Sequence, residues 1–269
     1  MTSRVYIYTV ENCSVDPEQI KVAVKVVNYR NPMARQSKLV LAEIKVHQTL
    51  DSSHIVKFHG MFIESSHIFI ITELCVMSLQ DIVRSPNSKH SRALYLSSND
   101  MIRYTAQILE GLRYLRNMSV VHCDLKPGNV FLKPTDRDGV LDVKIGDFGL
   151  AAAENSEIST RGTPNYIAPE VLSPEKGQLL THKVDLWALG CMIFAMQKKN
   201  GSPPFETDST YTTYKRIREV VLIFPSLPKP WPETTVDLIK RILVKDPVHR
   251  ISYEEMIQHP FFEGYVFSN

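Results

Sequence analysis

The chain has 269 residues, enough for a sizeable core in one large domain or two small ones. It is 43% hydrophobic and 22% charged with a net charge of +2, the composition of a soluble globular protein, without the basic excess of an electrostatically driven nucleic-acid binder. Four cysteines, Cys13, Cys75, Cys123 and Cys191, stand far apart with no CxxC pair, which argues against a disulfide framework or zinc site and suits a reducing, intracellular compartment such as cytoplasm or nucleus.

No basic patch followed by an apolar stretch opens the sequence, so no signal peptide is expected. Residues 5–10 (VYIYTV) and 21–27 (KVAVKVV) are β-branched and aromatic and predict strands. Residues 31–50 open on Asn31 and Pro32 and carry Leu39, Ile44, Val46 and Leu50 at roughly helical spacing. Two further strands are predicted over 55–63 and 67–74. A polar insertion at 84–98 separates this β-rich part from a helix after residue 97, with Ser98, Asn99 and Asp100 as capping candidates. Its apolar face runs through Ile102, Ala106, Ile108, Leu109, Leu112 and Leu115. The segment VVHCDLKPGNVFL, residues 120–132, reads as strand, loop, strand. Helices are then predicted over 184–197, 209–221, 233–243 and 253–259, punctuated by proline-rich stretches. The longest apolar run, 186–196, is too short to span a bilayer and reads as a buried helix.

Three ionisable or amide groups, Asp124, Lys126 and Asn129, share the loop at 122–129. An aspartate can accept a proton, a lysine can steady a phosphate, and an asparagine oxygen can ligate magnesium. Downstream, Asp147 sits in a Gly-flanked turn after a predicted strand, a carboxylate suited to a hard cation. Upstream, Lys25 ends the VAVK pattern, and a lysine aimed into a cleft needs a carboxylate such as Glu43 to hold it. Taken singly, each feature also has a plain reading: a turn aspartate, a solvated edge lysine, a satisfied core histidine at 122, buried small thiols at 75 and 191, polar loop residues at 159 and 160.

Together, in this order, the motifs V-A-V-K, H-x-D-L-K-P-x-N, D-F-G, G-T-P-x-Y-x-A-P-E, a D-x-W helix start and a late arginine resemble a eukaryotic protein kinase over nearly the whole chain. DLKPGN with Lys126 resembles the serine/threonine class. GTPNYIAPEVL, LDVKIGDFGLA, ELC, SPPFET and HPFFEGY look most like the polo-like kinases. The resemblance implies an α+β, two-lobed fold: a small β-rich N-lobe over 1–74, a hinge at 75–78 and a larger α-helical C-lobe over 79–269. It implies ATP and Mg2+ as cofactors and serine/threonine side chains of proteins as substrates. A monomer without nucleic acid or membrane span is expected. Lys25 would hold the ATP phosphates and pair with Glu43. Asp124 would orient the substrate hydroxyl and accept its proton, Lys126 would neutralise the transferred phosphoryl, and Asn129 and Asp147 would bind magnesium. Val5, Ala23 and Phe131 would enclose the adenine, with Thr72 as gatekeeper and Glu73 to Cys75 supplying backbone hydrogen bonds. Glu170 and Arg250 match a buried ion pair, Asp185 a tie to the catalytic loop, and Thr163 a contact to Asp124 and Lys126.

Two departures from the family pattern stand out. Gly60 is the first glycine of the chain, so the Gly-rich loop over the ATP phosphates is not matched; Ser3 falls where its last glycine belongs. An N-terminally truncated product and a kinase with a reduced ATP lid both explain this, and both predict weaker nucleotide binding and an exposed sheet edge. A pseudokinase acting through protein binding is the alternative function. A small-molecule phosphotransferase fits GTPNYIAPE less well. The second departure is Cys123, where the family usually has an arginine that grips a phosphorylated activation-loop residue. With a cysteine there, phosphorylation at Ser159 or Thr160 is expected to change activity little. No polo-box region is expected beyond Asn269, so localisation by that route is not inferred.

Overall fold

In a computed structural model, residues 4–10, 20–28, 35–83, 96–137, 139–198, 200–224 and 231–268 are described. Ser3, Cys13, the helix opening at Asn31 and Pro32, most of the insertion (84–95) and the proline-rich stretch 225–230 lie outside them. Strand β1 (Arg4–Val10), β2 (Ile20–Asn28), β3 (Phe58–Glu64) and β4 (His67–Glu73) form an antiparallel sheet in the order β1-β2-β4-β3. β4 alternates in burial, with Ile68 and Ile70 inward. Helix α1 (Arg35–His47) packs Val40 and Ile44 on Val27, Ile68 and Ile70.

The inward face of α1 differs by one residue from the expected one. Leu39 is 47% exposed, and the buried positions are Val40, Glu43, Ile44 and His47. Neighbouring helical residues point about 100° apart, so burying Val40 turns Leu39 outward. That rotation is also the one that carries Glu43 to Lys25.

The chain leaves the first sheet and reaches β5 (Met77–Ser78) and α2 (Leu79–Val83). Helix α3 (Ser98–Asn117) is capped by Ser97, one residue before the expected candidates. Its hydroxyl accepts from the Asp100 N–H, whereas Ser98 is already inside the helix. Strand β6 (Val120–Val121), a 3-10 turn at Pro127–Asn129, β7 (Val130–Pro134) and β8 (Leu141–Ile145) bracket the site loops. β5 pairs with β7 and β7 with β8; β6 pairs with β9 (Ala152–Ala153). Four further helices and a short turn of helix complete the large lobe: α4 (Pro169–Leu172), α5 (Lys183–Gln197), α6 (Thr210–Glu219), α7 (Glu233–Ile242) and α8 (Tyr253–Ile257).

Helix α5 is apolar on all sides and buried from Val184 to Met196, as expected for its apolar run. It approaches α7 so closely at Gly190 that a Cβ there would lie 2.6 Å from Ile242 Cγ2. The core of the large lobe runs from α3 through β7 and β8 to α5 and α7. Arg250, wholly buried, spreads a bidentate fork over Glu170 at 2.8 and 3.0 Å and donates further to the carbonyls of Lys183 and Val244. The sequence-matched pair is thus buried, paired and saturated with acceptors.

The last described residues fold back onto α3. Glu110 accepts from the Ser268 N–H at 2.6 Å and from the Tyr265 hydroxyl at 3.2 Å, and faces His54 Nε2 at 3.2 Å. Burial would raise the Glu110 carboxyl, but the hydrogen bonds from His54 and Ser268 outweigh it and bring it from 4.5 down to about 2.

Candidate active site

Antiparallel partners directly opposite one another share a face of the sheet. Val5 stands opposite Lys25, Ile7 opposite Ala23, and Ala23 opposite Thr72. One face of the small lobe therefore carries Val5, Ala23, Lys25 and Thr72 together, as the motif positions require. Ile7 joins them, a residue that the motif reading did not single out. Strand alternation from Val5 was the signal that could have found it.

Lys25 Nζ reaches Glu43 Oε1 at 2.7 Å and Asp147 Oδ1 at 3.2 Å. Three elements meet at this ammonium: β2, α1 and the turn after β8. Burial would lower the lysine pKa, but Glu43 and Asp147 outweigh it and the net shift is upward. For the Asp147 carboxyl burial acts upward, yet Lys25 holds it below its ordinary value. Burial also raises Glu43, against the pull of Lys25. The cluster is therefore one cation shared between two carboxylates, with Asp147 the more acidic and more exposed of them.

The loop after β6 is held from behind. Asp185, buried at the start of α5, accepts from the His122 N–H at 2.7 Å and the Cys123 N–H at 3.0 Å. Cys123 has φ of 65°, a left-handed conformation unfavourable for a residue with a Cβ, and this double acceptance holds it there. The His122 ring accepts from the Asp124 N–H at Nδ1 (3.2 Å) and donates from Nε2 to the Gly146 carbonyl (3.0 Å), joining this loop to the turn that bears Asp147. Here the plain reading of His122 as a satisfied core histidine holds.

Asp124 faces the activation segment. Its Oδ1 accepts from the Thr163 N–H (2.8 Å) and hydroxyl (2.7 Å), and its Oδ2 from Lys126 Nζ (2.7 Å). Lys126 also donates to the Thr163 hydroxyl at 2.8 Å. Asn129 Nδ2 donates to the Asp124 carbonyl at 2.9 Å and to Oδ2 at 3.2 Å, which leaves its amide oxygen as the uncommitted end. An amide oxygen and a half-exposed carboxylate at Asp147 suit Mg2+, which takes few protein ligands and completes its shell with phosphates and water. Among the described residues no cluster of three or more His, Cys, Asp or Glu forms a metal cage.

Phe131 lies on β7 with its ring against Gly146, where a Cβ would come within 3.0 Å. Glu73, at the end of β4, points its buried carboxylate to the Lys57 N–H (2.7 Å), Lys133 Nζ (2.6 Å) and Lys144 Nζ (3.0 Å). Its side chain therefore staples β4 to β7 and β8. Lys133 and Lys144 belong to this group and were not foreseen. Cys75 is half-buried, and burial followed by the Glu73 charge raises its thiol to about 11. Thr160 donates to the Val171 carbonyl at 3.4 Å, while Ser159 lines a recess beside Cys123.

A lysine–carboxylate pair lies on one lobe and an Asp–Lys–Asn loop beside a DFG turn on the other, and the profile of the protein kinase domain matches residues 8–262. The chain belongs to the protein kinase domain family. Within it, the chain is most like the polo-like serine/threonine kinases. It is 36% identical to the serine/threonine-protein kinase polo of Drosophila melanogaster over 234 residues, 85% of this chain and 37% of that protein. It is 37% identical to a probable serine/threonine-protein kinase CCRP1 of Zea mays over 236 residues (86% and 35%). It is also 37% identical to a probable cell cycle serine/threonine-protein kinase CDC5 homolog of Encephalitozoon cuniculi over 244 residues (89% and 48%). The chain thus spans about a third to a half of the length of these relatives.

Proposed function

We propose that this chain transfers the γ-phosphoryl group of ATP to serine or threonine hydroxyls of protein substrates. The observation that carries this reading is the joint assembly of Lys25 on Glu43 and Asp147 with Asp124 on Lys126 and Thr163. In this reading Lys25 holds the α- and β-phosphates. Asn129 and Asp147 hold Mg2+, which when bound neutralises phosphate charge. Asp124 orients the substrate hydroxyl and takes its proton, and Lys126 faces the charge of the moving phosphoryl. Phosphoryl transfer asks a protein mainly for position and compensating charge, and these residues supply both from rigid strands and tied loops.

Ala23, Val5 and Phe131 enclose the adenine, Thr72 stands as gatekeeper, and the backbone from Glu73 to Cys75 meets its edge. The lobes join at 75–78. Free thiols at Cys75, Cys123 and Cys191 fit a reducing compartment, cytoplasm or nucleus. No described helix is long and apolar enough to cross a membrane.

Incorporation of labelled phosphate into a generic protein substrate tests the proposal. Wild type is expected to label it and Asp147→Ala to fall to background. A second reading, a module that binds partners without turnover, draws on Val5 and Ile7, which stand 64% and 67% exposed on the cleft face. Equal, background labelling by wild type and Asp147→Ala would favour that second reading and reject the first.

A further inference from the structure

In the reading above, adenine meets two separate pieces of chain: an edge, the backbone from Glu73 to Cys75, and a floor, Phe131 on β7. The contacts that fix one against the other lie beside the slot. Lys133 stands two residues beyond Phe131 on β7, and Lys144 of β8 is directly opposite Phe131. Both lysines therefore share the face of that strand pair on which Phe131 sits. Both reach the Glu73 carboxylate, Lys133 Nζ at 2.6 Å on Oε2 and Lys144 Nζ at 3.0 Å on Oε1. The Lys57 N–H donates to Oε1 at 2.7 Å, and Glu73 returns its own N–H to the Lys57 carbonyl at 2.9 Å. Just past Cys75, the Val76 N–H donates to the Leu132 carbonyl at 2.9 Å, on the same strand as Phe131. Glu73 is buried, and burial alone would raise its carboxyl. The hydrogen bonds from Lys133, the Lys57 N–H and Lys144 outweigh burial and hold it below its ordinary value, so it is charged at neutral pH. A buried carboxylate filled by three donors is a rigid anchor, because moving it separates charges away from water.

We propose that Glu73, Lys133 and Lys144 are positioning residues for the nucleotide base: one carboxylate, gripped by two lysines, locks the adenine edge to the adenine floor. The backbone of Glu73 meets the base, and its side chain sets where that backbone stands. This inference rests on the kinase reading. The two arms are unequal. Lys144 is 14% exposed and Lys133 43%, so water screens the Lys133 contact more and Lys144 carries the larger share.

The test is the dissociation constant of adenosine, which carries the base and no phosphate, measured by calorimetry on the whole chain. The unfolding midpoint is recorded on the same samples. Glu73→Gln and Lys144→Met should each weaken adenosine by about fivefold or more, and Lys133→Met by about twofold. Lys144→Arg, which keeps the charge, should recover most of the affinity. The double variant Glu73→Gln, Lys144→Met should bind no worse than the weaker of its two parents, because both changes break one contact. Should the buried variants fail to fold, Lys133→Glu at the half-exposed position sets a like charge against Glu73 and should weaken adenosine by about fivefold. Adenosine constants within about twofold of wild type in Glu73→Gln and Lys144→Met, or in Lys133→Glu, would overturn the proposal even if the unfolding midpoint fell, since a purely structural staple moves only the midpoint. Losses that multiply in the double variant would also overturn it. A wild type that binds neither adenosine nor Mg·ATP rejects the kinase reading and this inference with it, whereas binding that is indifferent to the variants rejects this inference alone.

Discussion

Arg250 and Glu170 show what a single buried residue decides. Neither side chain is exposed to solvent by more than 5%, and every donor of the guanidinium that faces the interior has a carbonyl or carboxylate. A pair of this kind adds modest net stability against an apolar replacement, but losing one partner leaves the other charged and dry. Glu170→Ala is expected to lower unfolding stability by about 3–5 kcal/mol in denaturant titration. A loss below about 1 kcal/mol would mean that water or another acceptor reaches Arg250. At this scale motif order pointed to the residues: Lys25, Glu43 and Asp147 meet in one group and Asp124, Lys126, Asn129 and Thr163 in another, at the positions the family resemblance singled out. Lys133 and Lys144 were not legible. They converge on Glu73 from two different strands, and no periodicity along the chain marks a long-range pairing of that type.

At the scale of elements, helix and strand existence followed from hydrophobic period, whereas faces and ends depended on neighbours. Leu39 and Val40 are equally apolar, so only the sheet beneath α1 decides which is buried. Ser97 and Ser98 are chemically identical, and the cap falls on the one whose hydroxyl meets the Asp100 N–H. The crossing of α5 and α7 depends on the absence of a side chain at Gly190. Gly190→Ala should gain helix propensity yet lose stability, by about 1–3 kcal/mol, because the added methyl meets Ile242 and Leu243. A chemical-denaturation midpoint at or above that of wild type would show that the two helices can separate without cost.

The whole molecule is closed by contacts between segments remote in sequence. The C-terminal residues Tyr265 and Ser268 meet Glu110 on α3, which in turn faces His54 beside the small lobe. Glu110 titrates near 2 when folded and near 4.5 otherwise, so it binds a proton more readily in the unfolded chain. Its contribution to stability is complete above about pH 4.5 and is lost as the pH falls toward about 2. Glu110→Gln should therefore be less stable than wild type at neutral pH and flatten the acid limb of the stability curve between those values. An unchanged limb would place the acid sensitivity in other carboxylates.

Position 123 shapes its loop chiefly through its main chain, a left-handed turn and an N–H received by Asp185, and its thiol adds one weak donation to the Val121 carbonyl at 3.6 Å. A coding change at this position alters how the loop reads its surroundings while leaving the placement of Asp124 intact, so control and chemistry are separately heritable within five consecutive residues, 122–126.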